Sequence, residues 1–194
     1  MNEAIENNNS NNSLFLRPKL TIMKTKSTIV WSIFSLALLT ITLQACKKDE
    51  PAEGIDLELF NMAEETSGFT WYKNSDAWLP ISSLSAHGYA NLRTRYNTTA
   101  ATQLDSDGKV KEDAAFPNGS LVVKELSDGN SVERYAILYK MSSHQYADAN
   151  GWVWGYVNQD GTVATSAEDK GSGCIGCHST QGNIDYMLMN QFFP

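Results

Sequence analysis

The sequence predicts an α+β fold, mainly antiparallel β-sheet with a few short helices, and three features point to it. Between Ser120 and Thr165 four apolar runs rich in β-branched and aromatic residues follow one another, two of them closed by Asp-Gly turns at Asp128-Gly129 and Asp160-Gly161. From His87 to Tyr96 bulky and polar residues alternate loosely, as on a half-buried strand. Helical stretches, by contrast, are few and short. Successive strands joined by short turns pair antiparallel.

The elements follow in order. Asp56 is placed to cap a helix whose apolar positions Leu59, Phe60, Met62 and Ala63 recur at helical spacing and which ends near Ser67-Gly68. Phe69, Trp71, Tyr72 and Trp78 then crowd together, a density expected of core packing. The strand 87–96 is followed by a short helix over Asn97 to Leu104, capped by Asn97 or Thr98, and by an exposed polar loop from Asp105 to Asp113. After the turn signal Phe116-Pro117-Asn118-Gly119, strands are expected over 120–126, 132–141, 151–158 and 162–165. Asp185 to Phe193 reads as a closing helix.

The beginning of the chain belongs to its address. Residues 1–22 are rich in asparagine and precede Met23, an alternative start. Residues 23–45 carry Lys24 and Lys26, then an apolar run from Ile29 to Ala45, the order of a signal peptide. Leu43-Gln44-Ala45-Cys46 resembles the lipobox of bacterial lipoproteins, in which the cysteine is acylated; an uncleaved membrane anchor is the plainer alternative. Residues 46–54 are then a polar tether, and 55–194 the folded domain. Both readings place the domain outside the cytoplasm, and the lipobox makes it an exported lipoprotein, anchored by lipid and facing the periplasm or cell surface. Without residues 1–45 the chain keeps 11 Lys and Arg against 20 Asp and Glu, a net charge of −9 that argues against nucleic acid as a partner.

Chemistry concentrates at Cys174-Ile175-Gly176-Cys177-His178. Two cysteines separated by two residues reach the two vinyl groups on one edge of haem, and the adjacent histidine places an imidazole on the iron, so the motif reads as a covalent attachment site for one haem c. Competing readings are a zinc knuckle, a thiol redox pair and a structural disulfide. Zinc needs four ligands, and beyond these three residues the mature chain offers only His87 and His144. With Cys46 assigned to lipid, the other two of the chain's three cysteines are left for haem. Only 16 residues follow His178, with Met187 and Met189 the methionines among them, so an open distal iron site is expected. Met187, Met189, Met141, His87 and His144 are the alternative sixth ligands of an electron-transfer cytochrome.

Phe116-Pro117-Asn118-Gly119-Ser120-Leu121-Val122-Val123-Lys124-Glu125, Tyr135 to Lys140, Gly151-Trp152-Val153-Trp154 and the terminal Cys-x-x-Cys-His together resemble the cytochrome P-460 family. The segment from His87-Gly88 to Asn97-Thr98-Thr99-Ala100 looks like that family's first strand and following turn. The resemblance implies a mostly β haem domain, a homodimer, with histidine on one face of the iron. It also implies one of two chemistries: hydroxylamine oxidation by a haem cross-linked to a lysine, with electrons leaving to an external acceptor, or binding of nitric oxide or a similar small nitrogen ligand without that link. Lys124 is the candidate for the cross-link, because it lies on the strand after Phe-Pro-x-Gly, and Lys140 is the second. Arg93, Arg95, Glu125 and Glu168 are the charged groups available for distal chemistry, Arg95 to hold an anion or propionate and Glu168 to accept protons.

Overall fold

The computed structural model describes residues 50–194; the expected signal peptide, lipobox and Cys46 lie outside them. Eight strands form one sheet: β1 (Glu50–Pro51), β2 (Thr70–Trp71), β3 (Leu79–Pro80), β4 (Asn91–Tyr96), β5 (Leu121–Ser127), β6 (Arg134–Lys140), β7 (Trp152–Asn158) and β8 (Thr162–Thr165). Every pairing is antiparallel, in the order β1-β8-β7-β6-β5-β4-β2, with β3 also on β4. Four short helices accompany it: α1 (Gly54–Glu64), α2 (Thr98–Ala101), α3 (Ile175–His178) and α4 (Met189–Phe192). This is the mainly antiparallel α+β fold that the turn pattern predicts.

The sheet separates two apolar layers because successive residues of a strand point to opposite faces. On one face Leu121, Val123, Ile137, Val153 and Val157 pack with Leu59 and Ala63 of α1. Burying a leucine such as Leu59 contributes roughly 1.5–3 kcal/mol. Gly155 of β7 makes room for it: a Cβ there would lie 2.8 Å from Leu59 Cδ1. On the other face Leu92, Val122, Leu126, Leu138, Trp152 and Trp154 meet the C-terminal residues Tyr186, Met187 and Met189.

Several local expectations shift. Asp56 does not cap α1; it lies inside the first turn, and its carboxylate accepts from Ser166 Oγ (2.6 Å) and Ala167 N (2.8 Å), tying the helix to the end of β8. The strand drawn from His87 begins only at Asn91, and the preceding residues form a loop. Asn97 does cap α2, accepting from Ala100 N at 2.9 Å, although the helix stops at Ala101. The 105–113 loop is pinned by a bridge between Leu104 and a buried Val110. The closing helix shortens to α4, since Asp185 and Tyr186 adopt left-handed backbone (φ 45° and 70°) incompatible with a helix start. Among the crowded aromatics only Tyr72 is buried; Trp71 and Trp78 flank the Arg93 guanidinium at 4.8 and 4.5 Å, and Phe69 lies 4.6 Å from that of Arg95.

Candidate functional site

The sheet face away from α1 is one wall of a cavity of about 490 Å³, within the ~300–1,000 Å³ usual for cofactor sites. Thr94, Val122, Lys124, Ala136, Leu138, Trp154 and Tyr156 line it from the strands, and Met187 to Met189 and Phe192 from the C-terminal segment. Cys174, Cys177 and His178 close one side, and residues 82–87 reach the mouth. Strand alternation explains why Lys124 belongs here. It pairs with Thr94 and Ala136, which share its face, while its neighbours Val123 and Glu125 point towards α1.

The Cys-x-x-Cys-His residues form a single helical turn, with Cys177 N and His178 N both donating to Cys174 O (3.2 and 3.1 Å). Positions i, i+3 and i+4 lie on one face of a helix, so both sulfurs and the imidazole address the same side. His178 Nδ1 donates to Tyr186 O at 2.8 Å, which leaves the lone pair on Nε2. The left-handed Asp185–Tyr186 pair turns that carbonyl towards the ring. Asp185 is itself fixed by Trp152 Nε1 (2.8 Å), Phe116 N (3.1 Å) and Lys140 Nζ (3.2 Å). The Trp154 indole meets the His178 ring edge-on at 5.3 Å. Burial, and then the charge of Lys124, lower the His178 pKa to about 4, so the ring is neutral at physiological pH. Cys174 and Cys177 are free thiols, half-buried and exposed respectively, and burial raises the pKa of Cys174.

Above the sheet wall, Lys124 Nζ lies 3.1 Å from His87 Nε2. Desolvation lowers the Lys124 pKa to about 8. His87 is driven down to about 2 by burial, then by the charges of Lys124 and His178. Tyr156 OH donates to the His87 carbonyl at 3.2 Å and stands 3.4 Å from His87 Nδ1, whose proton it can accept. Lys124 has no carboxylate within ion-pair distance among the described residues.

The family model Cytochrome P460 matches residues 78–189. The chain belongs to the cytochrome P460 family. No curated protein and no solved structure matches it significantly. The match runs from before the His87 loop through Lys124 to the Cys-x-x-Cys-His turn and the segment that holds His178. Family membership implies haem binding, and the residues of this cavity fit that group: the walls are largely apolar, and a neutral imidazole offers Nε2 beside two free thiols.

Other residues singled out from the sequence divide between this cytochrome P460 cavity and the rest of the fold. Arg95 lies on the α1 face, fully buried, with Nε donating to Glu125 at 2.9 Å and its remaining nitrogens to the carbonyls of Ala63 and Glu65. Arg93 binds the other oxygen of Glu125 at 2.6 Å. Glu168 is exposed, accepting from Tyr146 OH at 2.7 Å, and does not line the cavity. Lys140 shares the cavity face, but its ammonium sits on Asp185 and over the Trp152 ring at 4.7 Å. Met187 and Met189 line the cavity, whereas Met141 packs against the α1 core and His144 lies on a separate surface depression. Sequence reasoning gave no site role to Trp154, Tyr156 or Asp185–Tyr186. For the first two, the alternation Trp152, Trp154, Tyr156 on β7 carries the signal, since Trp154 and Lys124 fall on one sheet face.

Proposed function

We propose that this cytochrome P460 family member holds one haem c, through thioether bonds from Cys174 and Cys177 with His178 as proximal ligand, and binds or oxidises a small nitrogen compound such as hydroxylamine or nitric oxide. The observation that carries the reading is the sharing of one apolar cavity by the Cys174–His178 turn and the buried amine of Lys124. Bound there, haem supplies an iron that takes a nitrogen ligand and exchanges electrons with an external acceptor. The chain's own residues set the conditions. Tyr186 O and the Trp154 ring hold the His178 imidazole in orientation, and Leu92, Val122, Leu138, Met187 and Met189 keep water from the site. Lys124, with a pKa near 8, keeps part of its population as a neutral, nucleophilic amine. Lys124 Nζ is the group able to hold a proton near a bound amine, since neither Glu125 nor Glu168 lines the cavity and His87 is held neutral.

Around this core we propose an exported lipoprotein, anchored in a membrane through acylated Cys46 and paired as a homodimer; the lipobox and the family resemblance support it. The branch is tested by anaerobic absorption spectra of the holoprotein with and without dithionite. A strongly red-shifted haem band that disappears in Lys124→Arg supports the lysine-linked oxidoreductase. An ordinary c-type spectrum excludes that branch, and uptake of nitric oxide by the ferrous protein then supports the ligand-binding one.

A further inference from the structure

His87 and His178 both line the cavity, with ring centres 6.3 Å apart and planes inclined at 79°. Two imidazoles that ligate one iron from opposite sides, through bonds of about 2 Å, have ring centres about 6 Å apart. The hydrogen bonds put both rings in the same tautomer. His178 Nδ1 donates to Tyr186 O, and His87 Nδ1 faces the oxygen of Tyr156, whose own proton goes to the His87 carbonyl. Each ring therefore carries its lone pair on Nε2, and a metal-binding histidine characteristically has its other nitrogen engaged in this way. Lys124 donates to His87 Nε2 at 3.1 Å, consistent with the lone pair on that atom. Among the other cavity sulfurs, Met189 Sδ already accepts from Thr94 Oγ1 at 3.3 Å.

We infer that His87 is the sixth ligand of the haem iron, opposite His178, and that a small nitrogen ligand gains the iron by displacing it. This rests on the reading of Cys174–His178 as the attachment site. His87 sits in the loop before β4, next to Gly88 (φ +72°), rather than on a strand, so it can swing away without breaking the sheet ladder. Lys124 has no such freedom, being fixed within β5. The site is then closed in its resting state and opens to ligands that compete with an imidazole.

Absorption and electron paramagnetic resonance spectra of ferric holoprotein test it, with haem staining of the denatured chain as the control for attachment. The expected result is a low-spin wild type, a high-spin His87→Ala, and a His87→Gly variant returned to low spin by added imidazole. Nitric oxide binding to ferrous His87→Ala should be tighter by about tenfold or more, because the competing state is gone. A high-spin wild type, or a low-spin signal that persists in His87→Ala and so belongs to Lys124 or a methionine, overturns the inference while leaving the haem reading intact. A chain that carries no haem stain overturns both.

Discussion

Arg95 and Lys124 stand on adjacent strands, yet one is sealed against α1 and the other faces the cavity. Which way each points depends on where its strand begins to pair, and a one-residue change in register reverses it. For this reason Arg95 could not be sorted from Lys124 by composition, although the Phe-Pro-x-Gly turn did locate the strand of Lys124. The Arg95–Glu125 pair is buried on both sides, so removing one charge strands the other. Glu125→Gln should cost about 3–5 kcal/mol, read from urea unfolding; a loss below about 1 kcal/mol would mean that the carbonyls of Ala63 and Glu65 suffice to hold the guanidinium. His178 and His87 make a pH prediction for the haem-free chain. Their folded pKa values, about 4 and about 2, lie below the ordinary 6.5, so on acidification the unfolded chain takes up protons that the folded chain refuses. Their contribution to stability is present above pH 6.5 and is lost as pH falls towards 4. Urea midpoints should drop between pH 7.5 and 5, less steeply in His87→Leu; an equal slope in both proteins would refute the assignment for His87.

At the scale of elements, the central strands were legible because Asp-Gly turns and Val- and Trp-rich runs are local signals. The ends of helices were not. Asp56 has the chemistry of a cap, but tertiary partners at Ser166 and Ala167 claim its carboxylate. The closing helix failed at Asp185–Tyr186, where left-handed backbone is held by Trp152, Lys140 and His178, contacts distant in sequence. The turn that presents the cysteines depends on Gly171 (φ +69°), where a Cβ would meet the Trp154 indole at 2.7 Å. Gly171→Ala should therefore displace either the turn or the ring that braces His178, lowering the yield of haem-bearing protein and the stability by about 1–3 kcal/mol. Normal yield and an unchanged unfolding midpoint would show that Trp154 yields freely. The same substitution at Gly155 tests α1 instead: although Gly155 also lines the cavity, its added Cβ would press on Leu59 at 2.8 Å, on the α1 side of the sheet, so it should reduce stability and leave haem incorporation per folded molecule unaltered.

For the whole molecule, the fold class and the family resemblance could be read from the sequence because both rest on short, repeated or contiguous patterns. The cavity could not, since it joins a loop, five strands and the C-terminal segment. Its polar pair, His87 and Lys124, is 37 residues apart in the chain. The proposed lipid anchor rests on Cys46, outside the described residues, and on that proposal Cys46→Ser should move the protein from the membrane to the soluble fraction of its host; retention in the membrane would favour an uncleaved anchor. The central claim is tested most directly by the intact mass of the protein matured in a host with haem-ligation machinery. The account predicts a mass increased by one haem that survives denaturation and is absent from a Cys174→Ala/Cys177→Ala double variant. A colourless protein with two titratable thiols at these positions would contradict it.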